Sequence, residues 1–370
     1  MKLTIRILCA LLCAAFIVVI PFFLSSPPML HEARDLLNKE NEDDEDEDLD
    51  FGGILFPSAI AEDFSEESFS MEDEEIEDPI GKSASLSIPD DWELPIDFSV
   101  PPMPDPDGFT ENGYEDQSIR VRVEEREMKE SVVHIAFVEI ASPSQLRTAT
   151  AYGVKSGRAL EVVTIAKKNH VVIAMNGDCF IKDIDKKKFE VRMKQIVDQE
   201  KKRYEASKAK DSLVIDTNGD FRTFLASEYE ELKQYKKDHK DDIVNAFMFG
   251  PVLVKDGVIP DMEREYGYNR TGREPRSAIG QTGPLSYVMV VVEARGKSKG
   301  VSQPDLAEIM LELGCIQAYN LDGGNSAEMI MIGPDPDHLL LKVRGDQQAN
   351  PRGQSDIIYF ATAVPEDERQ

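Results

Sequence analysis

Short apolar runs separated by turn residues recur through the last two thirds of this 370-residue chain. They are rich in Val, Ile, Met and Tyr and are too short for most helices, which favours strands. The predicted strands are Val132–Ile140, Val171–Met175, Leu213–Ile215, Val252–Val254, Ser277–Gly280, Tyr287–Val292, Ile316–Leu321, Met329–Ile332, Leu339–Val343 and Ile357–Ala361. Many strands with few helices predict an α+β domain with a mixed, largely antiparallel β core.

Three segments have a helical pattern, and we expect these three helices to flank the β core. They are Val191–Lys208, Glu228–Asp242 and Ser302–Leu313. The last has the clearest signals, because Ser302 fits an N-cap and Pro304 follows in the first turn. Gly314 then ends the apolar periodicity, as glycine commonly does after a helix.

The N-terminus has the composition of a membrane segment. Ile7–Leu24 contains no charged residue and follows Lys2 and Arg6. Its 18 residues are near the lower limit for a membrane-spanning helix. Basic residues before it and acidic residues after it favour a cytoplasmic N-terminus and an extracytoplasmic C-terminal part. We therefore expect residues 1–25 to be a cytoplasmic tip and a single-pass signal-anchor in the cell membrane; a cleaved signal peptide is the alternative.

The charge of the chain is concentrated in one segment. Residues 31–100 hold 25 Asp and Glu but only 3 Lys and Arg, and the whole chain has a formal net charge of −28. Low hydrophobicity with high charge favours disorder, so residues 26–130 are predicted to be an acidic linker and 131–365 the folded domain. Such acidity argues against nucleic acid as a partner.

Two cysteines fall in the predicted domain, Cys179 and Cys315. Two residues can form one disulfide at most, and a scaffold built on disulfides is excluded. We expect two free, buried thiols, with one bridge between them as the alternative.

The loop Asp322-Gly323-Gly324-Asn325-Ser326 joins two of the predicted strands. Its glycines free the backbone and allow a ligand to approach the main chain. A carboxylate presented by such a loop suits chemistry or ligand binding, although Asp-Gly is also a common turn. Asn176, Gly177 and Asp178 form a second polar turn at a strand end, open to the same two interpretations.

Other charged residues stand near strand ends. Arg276 begins a strand, and arginine suits phosphate because its planar fork donates paired hydrogen bonds. Glu293 and Arg295 follow the most apolar strand. Asp216–Asp220 resembles a calcium loop, but its glycine spacing is wrong, so a hairpin turn is predicted. The sequence requires no cofactor; Asp178 and Asp322 could hold a divalent cation, but their spacing does not demand one.

Five of these segments together, in this order, resemble the phosphodiester glycosidase family. The matching motifs are Asn176-Gly177-x-x-Phe180, Gly250–Gly257, Arg276-x-Ala278-Ile279-Gly280, Glu293 with Arg295, and Leu321–Ser326. The chain departs from the family at Glu293, often Asp there, and at Asn325, where the family has a third glycine. The similarity covers about residues 131–364. The family includes bacterial members linked to exopolysaccharide.

The resemblance implies hydrolysis of a sugar-1-phosphodiester in a cell-envelope or exopolysaccharide glycan. Cleavage lies between the anomeric carbon and the phosphate oxygen, and a carboxylate stabilises the oxocarbenium-like transition state. On this view Asp322 and Glu293 are catalytic. Substrate binding would fall to Asn176, Gly177, Asp178, Arg276, Arg295, Gly323, Gly324, Asn325 and Ser326. Two alternatives stay open: an inactive glycan-binding module, favoured by Asn325, and an envelope scaffold, favoured by the acidic linker.

Overall fold

The computed structural model describes residues 85–95, 99–152, 159–178, 210–264, 269–335, 339–350 and 352–369. These residues fall within one of the chain's two compact units, Glu77–Gln370. The predicted anchor, the linker up to residue 84, the helix predicted over Val191–Lys208, and Cys179 lie outside the described residues. Among the helices of the described part, none combines the length and the apolar character that crossing a bilayer requires.

Sixteen strands in the described ranges form three sheets, and every pair of neighbouring strands is antiparallel. The large sheet has the order β1-β2-β3-β4-β12-β11-β13-β10, the middle sheet β15-β14-β6-β16-β5, and the small sheet β8-β7-β9. The strands are β1 Phe109–Thr110, β2 Gly113–Glu115, β3 Ile119–Met128, β4 Ser131–Ile140, β5 Leu146–Thr150, β6 Ile173–Asn176, β7 Ser212–Asp216, β8 Phe221–Phe224, β9 Ile243–Phe247, β10 Val252–Lys255, β11 Arg276–Gly283, β12 Ser286–Val292, β13 Gln317–Leu321, β14 Glu328–Ile332, β15 Leu339–Arg344 and β16 Asp356–Phe360.

The α-helices of the described part are α1 Val162–Lys168, α2 Tyr229–Asp238 and α3 Gln303–Glu312. Ser302 caps α3 through a hydrogen bond from the Asp305 amide to its hydroxyl at 3.2 Å, which confirms the predicted start. Gly314 follows the helix with a φ of +81°, a left-handed conformation that glycine adopts without strain. The structure thus confirms an α+β fold with an antiparallel core.

The layers follow from the alternation of side chains along the strands. One face of the large sheet packs against α3 through residues such as Ile135, Val290 and Leu306. Its other face packs against the middle and small sheets and encloses the largest core cluster, which includes Met289 and Phe360. The outer faces of the middle and small sheets are covered by α1 and α2 respectively. Both ends of the two-sheet sandwich therefore carry loops and strand termini.

The predicted start of the domain at residue 131 is wrong, because β1 to β3 precede it and belong to the large sheet. In β3, apolar Ile119 and Val121 alternate with Arg120 and Arg122, and the whole strand pairs with β4. The high average charge of β3 predicts disorder. The alternation nevertheless gives β3 one buried face, which is sufficient for a strand in an antiparallel sheet.

The sequence also failed to predict α1, β5, β8 and β9, whose apolar content is low or whose length is short. The turn at Asp216–Asp220 is confirmed as a hairpin between β7 and β8. Asp216 Oδ1 accepts from the amides of Asn218 and Asp220 at 2.9 and 3.1 Å, so this carboxylate stabilises the turn. Cys315 is a free, buried thiol.

Candidate functional site

Several of the predicted site residues meet at one end of the sandwich. There β6 of the middle sheet ends at Asn176, β16 begins at Asp356 and β14 begins at Glu328. From the large sheet, β13 ends just before Asp322 and β11 begins at Arg276. Backbone contacts join the sheets, since the Asp322 amide donates to the Gly177 carbonyl at 3.4 Å.

Asn176 is the residue that ties these strand ends together. Its side-chain amide nitrogen donates to the carbonyls of Asp322 at 2.7 Å and of Gly177 at 3.2 Å. Its oxygen accepts from the Ser277 hydroxyl at 2.9 Å and from the Glu328 amide at 3.1 Å. A side-chain amide offers two donors and two acceptor positions, and all four are used here by protein groups. These bonds give Asn176 a positioning role, and its contact with substrate stays a prediction.

Asp322 has the properties of a reactive carboxylate. Its side chain is only 10% exposed, and Oδ2 has no hydrogen-bond partner among the residues that the structure describes. Arg352 Nη1 lies 3.9 Å from that oxygen. Burial raises the pKa of the Asp322 carboxyl; the Ser326 hydroxyl and Arg352 oppose the rise, and the nearby Asp356 adds to it. A buried carboxylate that the protein leaves open for a further contact is a common feature of functional sites.

Gly177 contacts both Asp322 and Asp356, a carboxylate that the sequence analysis missed. A Cβ on Gly177 would lie 2.1 Å from Asp356 Oδ2, so only glycine leaves room for this carboxylate. The Gly177 amide also donates to the Asp356 carbonyl at 3.1 Å. Gly177 is thus a close-packing position rather than a flexible one.

Arg352 and Asp356 are the two site residues that sequence reasoning did not find. Arg352 precedes β16, in the Pro-Gly stretch 351–353, and Asp356 begins the strand. The available signal was a carboxylate next to an apolar run. Asp356 begins the apolar strand β16, as Asp322 follows β13. Pairing of β16 with β6 places Asp356 beside Gly177.

The Asp322 loop is held against the large sheet by its glycines. A Cβ on Gly323 would lie 2.7 Å from the Pro275 carbonyl oxygen, and the Gly324 amide donates to the same oxygen at 2.9 Å. Gly324 has a φ of +60°, which glycine adopts at little cost. The loop therefore has the rigidity that a fixed Asp322 requires.

Arg276 lies at the site but is used by the protein. Its Nε donates to the Val301 carbonyl at 3.1 Å, and one terminal nitrogen donates to the carbonyls of Asn269 and Gly272, each at 2.8 Å. Burial lowers the pKa of Arg276 to about 10. These bonds fix the loop before β11 and give Arg276 a positioning role; its contact with phosphate stays a prediction.

The structure brings together two of the predicted site residues, Arg295 and Asn325. Arg295 Nη1 donates to Asn325 Oδ1 at 2.9 Å and to Asp346 Oδ2 at 2.6 Å, and Nη2 donates to Glu274 at 2.6 Å. The hydrogen bond with Glu274 is the main cause that raises the pKa of Arg295. With a side chain 40% exposed, Arg295 can reach a ligand at the rim of the loop.

Glu293 is separated from Asp322. The order β12-β11-β13 places β11 between them, and two strand spacings amount to about 10 Å. Glu293 Oε1 lies 2.9 Å from His134 Nε2, and Ser298 Oγ lies 3.5 Å from Oε2. No hydrogen bond or ion pair joins Glu293 to Asp322 within the described part of the chain. The structure does not pair the two predicted catalytic carboxylates.

Asp178 anchors a neighbouring segment. Its Oδ2 accepts from the Met248 amide at 3.0 Å, just after β9. Within the described ranges no group of three or more His, Cys, Asp or Glu side chains is arranged to hold a metal ion.

These features define a class of protein in which loops at one end of an antiparallel sandwich present a buried carboxylate and arginines. The family described as phosphodiester glycosidase matches residues 169–361, more than half of the chain and the part that contains Asn176, Asp322 and Asp356. The chain belongs to the phosphodiester glycosidase family.

Individual proteins show more distant similarity. A 90-residue segment is 34% identical to the SPbeta prophage-derived uncharacterized protein YomE of Bacillus subtilis (strain 168); it covers 24% of this chain and 14% of that protein. The catalytic domain of zebrafish N-acetylglucosamine-1-phosphodiester alpha-N-acetylglucosaminidase, auto-inhibited by its pro-peptide, is 15% identical, with a TM-score of 0.46 over 66% of this chain and 83% of that one. A hypothetical protein from Synechocystis is 13% identical, with a TM-score of 0.43 over 66% of this chain and 62% of that one.

Proposed function

We propose that this protein is a hydrolase that cleaves a sugar-1-phosphodiester between the anomeric carbon and the phosphate oxygen. The observation that carries the proposal is Asp322: a buried carboxylate, fixed at the end of β13, with one oxygen left without a hydrogen-bond partner in the described structure. Membership of the phosphodiester glycosidase family supports the reaction class.

The geometry suits this chemistry. As the glycosidic bond breaks, positive charge develops on the sugar, and a carboxylate beside it stabilises that charge. The effect is strong in a buried site, because little water screens it. A phosphomonoester leaves, and an arginine is the natural partner of its phosphate. Arg352, close to Asp322, and Arg295, at the rim of the loop, are in position for that role.

The substrate proposed is a sugar phosphodiester in a cell-envelope or exopolysaccharide glycan. This part rests on the sequence of the N-terminus, where Ile7–Leu24 favours a membrane anchor with the domain outside the cytoplasm. Fractionation of membranes and alkaline phosphatase fused after residue 370 test it. A soluble protein, or a fusion inactive in the periplasmic assay, would refute the anchored, extracytoplasmic location.

Asp322→Asn is the direct test of the reaction, because it keeps the shape of the side chain and removes its charge. We expect turnover of a chromogenic sugar phosphodiester to fall by about 10²–10³-fold, since electrostatic groups in catalytic sites commonly contribute that much. Asp367→Asn, at an exposed carboxylate outside the site, is the matched control. Near-normal turnover in Asp322→Asn would remove Asp322 from catalysis. Binding of the substrate without turnover in the wild type would favour an inactive glycan-binding module.

A further inference from the structure

We infer that Asp356 is the second catalytic carboxylate, acting beside Asp322 as the base that accepts a proton from the attacking water. The inference rests on the proposed function and replaces Glu293 in that role. It comes from the position of Asp356 on β16, from its contact with Gly177, and from what the other nearby carboxylates already bind.

The alternation of β16 aims Asp356 at the interior of the sandwich. Ile358 and Phe360 lie in the core between the sheets, whereas Ile357 and Tyr359 lie in the outer cluster under α1. Asp356 shares the parity of Ile358, so its side chain is on the face toward the large sheet. Asp322 stands at the end of a strand of that sheet.

Both residues contact the same glycine, Asp322 through its backbone and Asp356 through its carboxylate. Asp322 contacts Gly177 through its amide, and the Asp356 carboxylate occupies the space where a Cβ of residue 177 would stand. Asp356 is 2% exposed, and the Ser355 hydroxyl donates to its Oδ1 at 2.6 Å.

The other acidic side chains near this end are committed elsewhere. Glu293 lies beyond β11 and contacts His134. Asp178 accepts from the Met248 amide. Glu328 has the parity of Ile330 and so faces the outer cluster of the middle sheet, with Lys342 Nζ 4.0 Å from its carboxylate. Of these carboxylates, the inward-facing Asp356 alone shares Gly177 with Asp322.

The oxygen of a water molecule bonds to the anomeric carbon while one of its protons passes to an oxygen of Asp356. The bond between the anomeric carbon and the phosphate oxygen breaks, and its electron pair leaves with the phosphomonoester. Asp322 remains a carboxylate and stabilises the positive charge on the sugar, and Asp356 afterwards releases its proton to solvent.

The first experiment is a double-mutant cycle of thermal stability at pH 8 with Asp322→Asn, Asp356→Asn and the double variant. The Asp356 charge acts on the Asp322 carboxyl, and two nearby like charges repel, so the effects of removing them are not additive. Each single substitution removes the same repulsion. We therefore expect the double variant to gain about 2–4 °C less in melting temperature than the sum of the two single variants. Additive effects would overturn the pair whatever the activity of the enzyme.

The second experiment measures turnover and rescue. We expect Asp356→Asn to lower kcat by about 10²–10⁴-fold with a small change in KM, the usual contribution of a general base. With Asp356→Ala, added azide should restore turnover and yield a glycosyl azide, because azide attacks carbon without losing a proton. A purely structural role predicts no rescue.

The outcomes separate the two proposals. Loss of turnover in Asp322→Asn together with normal kcat in Asp356→Asn would overturn the base and leave the proposed function intact. An inactive wild type on sugar phosphodiesters would overturn both. Coupled stability, lost kcat and azide rescue together would establish the pair.

Discussion

Gly177→Ala tests the geometry of the site with the smallest side chain that can be added. The new Cβ would lie 2.1 Å from Asp356 Oδ2 and 2.5 Å from its Cγ, whereas real Cβ atoms essentially never approach another atom within 3.0 Å. The carboxylate must therefore move by about 1 Å or the strand ends must separate. Overpacking of this kind costs about 1–3 kcal/mol. For a domain of this size that lowers the melting temperature by about 2–10 °C.

Activity should suffer more than stability. A misplacement of about 1 Å in a catalytic group can cost about 10²-fold in rate, so kcat on a sugar phosphodiester should fall by that order. Gly283→Ala is the matched control, because a Cβ there would meet nothing within 4 Å. Adding Asp356→Ala to Gly177→Ala should recover the melting temperature without recovering turnover. If Gly177→Ala behaves like Gly283→Ala in both assays, the close packing of Asp356 on Gly177 is refuted.

Two further predictions concern stability. Burial is the main cause that raises the pKa of Glu328 in the folded protein, so the stability that its protonated form supports is lost as pH rises through that pKa. Glu328→Gln should thus raise the melting temperature at pH 8 and have little effect at pH 4, while the exposed control Glu366→Gln changes neither; an equal effect at both pH values would contradict the reasoning. A protein that starts at residue 85 should melt cooperatively. One that starts at Ser131 lacks β1 to β3 and should aggregate, because β4 loses one of its two partner strands and becomes an exposed edge; a cooperative melt of this shorter protein would show that the three strands are dispensable.

Residues in local patterns behaved as the sequence predicts. Ser302 caps α3, Gly314 follows it in a left-handed conformation, and Asp216 stabilises a hairpin turn. Each of these depends on interactions within a few residues, so the chain itself carries the information. The sequence also identified Asp322 and its glycine loop, because a carboxylate between two apolar runs is a local pattern.

Charged composition was misleading where one buried face was sufficient. β3 carries several Arg and Glu residues, and this composition predicts part of the linker. Ile119 and Val121 nevertheless bury one face of the strand against the core. Average composition over a window cannot detect a period of two.

What the sequence by itself determined was the fold class, the family and the position of Asp322, since these depend on periodicity and on motifs within short stretches. The tertiary structure alone decided the use of each polar group. Asn176 is saturated by four groups from distant strands, and Arg276 is committed to three backbone carbonyls. Glu293 pairs with His134, 159 residues away, while the Asp356 carboxylate packs against Gly177, whose carbonyl accepts from the Asp322 amide. Hydrogen bonds and close approaches between strands far apart in the chain leave no local pattern, because sheet pairing sets them.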